Sequence, residues 1–472
     1  MKVAVLPMDN RPPNYDFLID FATIYDVDIL LPPAGKLGYY KIPGDVDWLH
    51  DWLLNQEAEA FLISTEMLCY GGLVASREAD TSLDQAIRRL ETLKGVRKEN
   101  PQALIFASSI VRRASITVNS AETENKWKAL TEYLKSTTEN YQVQMSDFDD
   151  EYLKCYRQLR SRNHEINKLC VDFVATGVVD TLVLAVEDTF PHGPHEPEVD
   201  ILKAKVADLG LQGKVYIHNG ADEVMQELLV RLFNQRDVEL HFDSDETVMQ
   251  IMEFEHQPFV KNLLSHVSLT GFSVCPGSNT AILIIGSDLE KGLCTLEQLV
   301  GEGKEIYLLD LFHPNGADEH FVHELLSMIR NSPRIFLKGF SAWNTASNRL
   351  GTLLAEAAWK STKDELPLLK FMLERFVDDY LYQSVYRRKL EDMLNSCGKD
   401  KYNIGLSSDI MRVFTSEFTI ESNNLLNNFA GRIFRANNKT WLLKSASLNY
   451  FALPWNRTFE CKVSVQIETE EL

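Results

Sequence analysis

Two adjacent carboxylate pairs stand directly after apolar runs, Glu187-Asp188 in LAVEDTFPHGPHEPE and Asp222-Glu223 in VYIHNGADEVMQELL. Two carboxyls so placed can divide acid–base work. Burial and a neighbouring charge hold one protonated as a general acid, while the other stays ionised and stabilises or orients. The five residues NGADE recur in YLLDLFHPNGADEHFVHELL. An Asn-Gly turn with acids in the following first helical turn accounts for both copies as helix starts. That reading leaves His218, ahead of the first copy, unexplained. It therefore favours Asp222 and Glu223 for chemistry and leaves Asp318 and Glu319 as helix caps. In the second copy Asp310 ends the preceding apolar run, and Asn315 can face a site beside it.

Other apolar runs end in reactive groups too. The first reaches Asp9-Asn10-Arg11-Pro12-Pro13, where the prolines stiffen the chain and make Asp9 and Arg11 a substrate clamp or an ion pair bracing the turn. Glu66 follows Ser64-Thr65, Arg112 and Arg113 follow the fourth run, and Trp343-Asn344-Thr345 follows the last. A tryptophan beside an amide at a cleft mouth suits stacking on a sugar ring with hydrogen bonds to its hydroxyls. The loop His192-Gly-Pro-His195-Glu196 offers an alternative: with Asp9, Asp188 or His218 it would hold a divalent metal, although loop histidines also serve simply as solvated side chains.

These positions share one feature, the end of a strand-like run. The runs are KVAVLP (2–7), VDILLP (27–32), AFLIS (60–64), ALIFASSI (103–110), DTLVLAV (180–186), KVYIH (214–218), AILIIG (281–286), EIYLLDL (305–311) and RIFLKGF (334–340), with ELHFD (239–243) a weaker tenth. They are continuously apolar and alternate with helical patterns such as SLDQAIRRLETLKGVRKE, the signature of parallel strands buried on both faces. The count near eight, with no G-x-G-x-x-G turn after the first strand, predicts a (β/α)8-barrel-like α/β domain over residues 1–350; an open doubly wound parallel sheet is the alternative. In either, strand C-termini share one face, so the residues above would converge on a single mouth. A helical insertion is expected near residues 120–172. Residues 351–472 read as a helical and then extended appendage packed on the first domain.

The composition narrows the function. The 472 residues carry 48 Lys and Arg against 68 Asp and Glu, a formal net charge of −20 that repels phosphate backbones and argues against nucleic acid. A small neutral or cationic substrate fits better. There is no apolar stretch of membrane-spanning length and no leader pattern, and the seven scattered cysteines lack C-x-x-C spacing, which together lead us to expect a cytoplasmic protein with reduced thiols and no membrane contact. Walker, G-x-S-x-G and H-E-x-x-H patterns are absent.

The stretches LPMDNRPPN, VDILLPPAGKLG, EMLCYGGLVASR, HNGADEV, PNGADEHF, AWNTASNRLGT and LPWNRTFE together resemble the bacterial family catalogued as domain of unknown function 4127, over nearly the whole chain. That family usually has Asp-Asp-Arg-Pro where Asp9-Asn10-Arg11-Pro12 stands, and Gly-Trp-Asn-Thr where Ala342-Trp343-Asn344-Thr345 stands. YIHNGADEV is also similar to the His-x-Gly-Gly-Asp-Glu strand end of barrel-fold hexosaminidases, which implies Asp222 as orienter of an acetamido group and Glu223 as acid.

The sequence thus leads us to expect a glycoside hydrolase or related carbohydrate-processing hydrolase. Glu223 or Glu187 would be the proton donor and Asp222 or Asp188 the partner carboxylate. Arg11, Asn344 and Trp343 would hold the sugar, and no cofactor would be needed. A metal-dependent hydrolase and a small-molecule binding protein are the alternatives. Oligomeric state is open.

Overall fold

The computed structural model describes residues 1–78, 80–118, 120–139, 150–360, 364–405 and 409–472. The middle of the expected 120–172 insertion, residues 140–149, and Ser361 at the end of an expected helix lie outside the described residues. Contacts divide the chain into two compact units. The first is Met1–Ala22, Val27–Leu229 and Ile251–Gln257; the second is Thr23–Asp26, Val230–Gln250 and Pro258–Leu472.

The first unit is built on six parallel strands: β1 (Lys2–Leu6), β2 (Asp28–Leu30), β3 (Ala60–Ser64), β4 (Leu104–Val111), β5 (Thr181–Val186) and β6 (Val215–Asn219), in the order β2-β1-β3-β4-β5-β6. Every residue of β3 and β5 is buried, as continuous apolar runs require of strands covered by helices on both faces. The edge strand β2 keeps only three residues and stays half-exposed. Cross-strand register pairs Leu6 with Ile63, Ser64 with Ser108, Val111 with Val186 and Val186 with Asn219, so the strand exits line one edge. The expected insertion forms the helices Ala121–Glu139 and Asp150–Ala175. The stretch 82–99 is two helices, Leu83–Leu90 and Thr92–Glu99, the first opened by a reciprocal Ser82–Gln85 capping box.

The second unit repeats the plan with β7 (Asp237–Phe242), β8 (Ser273–Val274), β9 (Thr280–Ile285), β10 (Glu305–Asp310) and β11 (Leu337–Ser341), ordered β11-β10-β9-β7-β8 and all parallel. In each sheet the first strand lies between the second and the third. The order therefore reverses at β1/β3 and at β7/β9, where open α/β sheets have their ligand crevice. Gly339 in β11 has no room for a side chain: a Cβ there would lie 2.7 Å from Tyr307 and 2.8 Å from Glu356. Helices from Ala346 to Leu426 follow, including a π-helical stretch Phe376–Tyr386. An antiparallel sheet of β12 (Arg432–Ala436), β13 (Lys439–Ala452) and β14 (Lys462–Glu471) ends the chain.

Two expectations change. The parallel strands form sheets of six and five whose edge strands are not paired with each other among the described residues, so the α/β class holds while barrel closure is not seen. The division falls near residue 229 and not at 350: residues 351–472 share one continuous apolar core with β9, β10 and β11, in which Phe376 stacks on Phe340 at 4.3 Å. All seven cysteines are free thiols. Among the described residues no helix is long and apolar enough to cross a membrane.

Candidate functional site

At the exit of β1 the chain turns through Pro12–Asn14, and Arg11 is directed back across the edge. Its Nε and Nη2 donate to Asp9 Oδ2 at 2.9 and 2.7 Å, and its Nη2 and Nη1 reach Asp222 Oδ1 and Oδ2 at 2.6 and 3.3 Å. Asn14 Nδ2 bridges the same two carboxylates at 3.1 and 2.9 Å. All four side chains are buried. A guanidinium shared by two desolvated carboxylates is a rigid tie, and it joins the exits of β1 and β6. The brace foreseen as the alternative to a substrate clamp is what forms, with a partner 211 residues away.

Glu223, next to Asp222, has the opposite environment. Gly220 adopts φ +118°, and a Cβ there would sit 1.7 Å from Glu223 Oε1, so only glycine lets the Glu223 carboxyl lie against this turn. Oε2 accepts the Ala221 N–H at 3.0 Å and Oε1 has no partner. Burial, then the nearby Glu227, pushes the Glu223 carboxyl well above the ordinary range. Burial does the same to Glu227 in the helix Val224–Arg231. His218 is buried with Nδ1 against the Asn219 carbonyl at 2.8 Å.

One strand over, Glu187 follows Val186, the β5 partner of Asn219. Arg77 pairs with Glu187 and Arg113 with Asp188, while Arg113 also lies 3.8 Å from Glu187. Arg77 is steadied by Thr117 Oγ1 at 2.8 Å. Beside Asp188 opens a cavity of about 340 Å³ walled by Trp127, Phe190 and Phe254, with Arg113, Lys135 and Asp188 at its polar side. Trp127 is fixed by donating to Ser115 Oγ at 2.8 Å. Glu66 faces inward instead: Oε1 accepts the Ile110 N–H at 2.8 Å and Oε2 the Ser64 hydroxyl at 3.2 Å, and burial raises its carboxyl to about 7.

Asp310, Asn315, Trp343 and Asn344 belong to the second unit. Asp310 is fully buried, accepts N–H groups of Phe312 and Asp318 at 3.0 and 2.8 Å, and is raised to about 6 by burial. Arg349 donates to the carbonyls of Asp310, His313 and Asn344 at 2.5, 2.8 and 2.5 Å. Asn315 and Asn344 both take positive φ, and the Asn315 N–H reaches the Asn344 carbonyl at 3.1 Å, so these amides shape loops. Asp318 caps its helix through the Phe321 N–H at 2.8 Å, as expected of the second NGADE. Trp343 is buried, with the Phe459 ring edge-on at 6.1 Å.

The metal alternative gains no geometry from the His192 loop. His192 is exposed against Glu196, and His195 is buried with Nδ1 on Thr189 Oγ1 at 2.5 Å and driven down to about 2 by burial. Among the described residues no group of metal-ligating atoms contains either. Sequence reasoning passed over Asn14 and Arg77, both inside stretches that carried the family resemblance, and Glu227, one helical turn after Glu223.

The family model described as "Protein of unknown function (DUF4127)" matches residues 3–464. No curated protein matches the chain, and no solved structure does.

Proposed function

The chain belongs to the family of unknown function DUF4127, and from its own geometry we propose that it is a carbohydrate-processing hydrolase with Glu223 as proton donor. The observation that carries this reading is the split between neighbours. Asp222 is held by Arg11 and Asn14, while Glu223 is buried with Oε1 unpartnered and its carboxyl pushed toward the protonated form. Neighbouring carboxyls with opposed environments are the arrangement that separates an acid from an anion at neutral pH. In this reading Asp188, at the polar side of the cavity walled by Trp127 and Phe190, is the second carboxylate. Glu187, next to Asp188 in the chain, is clamped by Arg77.

The test is Glu223→Gln, which keeps the shape and removes the ionisable proton. Turnover of an aryl hexosaminide, within a panel of aryl glycosides, should fall by a factor of about 100 or more with the far-UV spectrum unchanged. Undiminished turnover removes Glu223 from the role. If the unmodified protein turns over no member of the panel, the hydrolase reading fails.

A further inference from the structure

Arg112 and Arg113 follow Val111, the last residue of β4, and their guanidinium groups have different partners. Arg113 is spent on Asp188 and Glu187. Among the described residues Arg112 is paired with no carboxylate. It is buried, Nη2 donates to the Arg77 carbonyl at 3.3 Å, and Nε and Nη1 have no partner. Its guanidinium lies 5.5 Å from the centre of the Tyr156 ring, over which Arg160 also sits at 5.8 Å. The Nε of Arg77 is unpartnered too.

The charges around Arg112 do not balance. Arg77 has Glu187 and Arg160 has Glu198, at 2.5 Å. Arg162, against the Tyr70 ring at 4.5 Å, is satisfied by the carbonyls of Ser76, Glu78 and Thr81 and not by an acid. Among the described residues four guanidinium groups thus meet two carboxylates, inside a chain whose net charge is −20. Keeping a guanidinium buried without a counter-charge is costly.

We propose that Arg112, with the Nε–H of Arg77, is a binding group for a dianionic phosphate, free or as a monoester. Guanidinium donors match phosphate oxygens, and a dianion neutralises the excess of two charges where a single carboxylate would leave one. The proposal does not rest on the hydrolase reading: it uses neither Glu223 nor a residue of the cavity wall, and it shares only Arg77, through its Nε–H, with the Glu187 pair.

Calorimetric titration of the full chain tests it, with inorganic phosphate, methyl phosphate and, as a dianion of different geometry, succinate, all at matched ionic strength. The expected result is binding of one phosphate per chain, a rise in melting temperature with phosphate concentration, and no comparable response to succinate. Methyl phosphate binding marks the site as one for esters, and its exclusion marks it as one for the free ion. Arg112→Lys should bind at least about tenfold more weakly, since an ammonium cannot reproduce the guanidinium donors. Arg112→Met should fold and lose the response. Absence of phosphate binding by the unmodified chain, undiminished binding by the variants, or an equal response to succinate would overturn the proposal.

Discussion

Glu66 and Asp310 each stand at a strand exit, with their oxygens turned back onto backbone N–H groups. Both carboxyls are raised by burial, Glu66 from 4.5 to about 7 and Asp310 from 3.8 to about 6. A folded-state value above the unfolded one means the fold binds the proton more tightly. The stabilisation is complete below the unfolded value and is lost as pH rises through the folded one. Wild-type stability should therefore fall between about pH 5 and pH 8. Glu66→Gln, whose amide oxygen can still accept the Ile110 N–H, should remove the Glu66 share of that fall, about 3 kcal/mol. Urea denaturation at the two pH values measures it; a variant tracking the wild-type profile would refute the burial argument. The sequence made Asp9 and Arg11 legible, because two prolines pin them to one turn. It could not reveal Asp222 as their partner, since that pairing depends on how β1 and β6 come to share an edge. Asn14 and Arg77 went unread because neither residue type is distinctive in a loop.

Continuous apolar runs identified most internal strands, because a parallel strand covered on both faces has few polar positions. The weakest candidate, ELHFD, proved to be β7, the strand at which the second sheet reverses its order. Its neighbour β8 is only two residues long, so much of β7 lies half-buried and reads as polar. β8 is too short to leave any pattern. Asp243, directly after β7, accepts the N–H groups of Gly286, Ser287 and Asp288 with one oxygen, each at 2.8 Å. These amides open the helix Leu289–Glu302, so the chain's own carboxylate fills the place at this crevice where an anion would bind. Asp243→Ala leaves three converging donors unmatched and should cost about 3 kcal/mol. Formate, a carboxylate without the rest of the side chain, should restore part of the lost melting temperature in the variant and leave the wild type unmoved. A variant indifferent to formate would mean that the loop rearranges and the donors find other partners.

For the whole molecule, the sequence suggested a boundary at residue 350, where strand-and-helix alternation gives way to helices. A change of pattern is not a change of core. Contacts place residues 258–472 in one unit, and the segment Ile251–Gln257 returns to the first, where the Phe254 carbonyl accepts the Thr189 N–H at 2.9 Å. The sheet β7 to β11 takes part of its cover from far along the chain: Met372, Phe376, Phe414, Phe418 and Phe429 belong to the same apolar core as Leu308, Leu337 and Phe340. Each such aromatic, fully buried, contributes about 1.5–3 kcal/mol, and a domain's net stability is only about 5–15 kcal/mol. A fragment ending at residue 350 would lose all of these and expose the apolar face beneath them. It should bind a hydrophobic dye strongly and lack a cooperative thermal transition for its second sheet, whereas the full chain should show neither defect. A soluble 1–350 fragment with full cooperative unfolding and no dye binding would restore the boundary that the sequence pattern suggested, and would make the C-terminal residues the appendage they resemble.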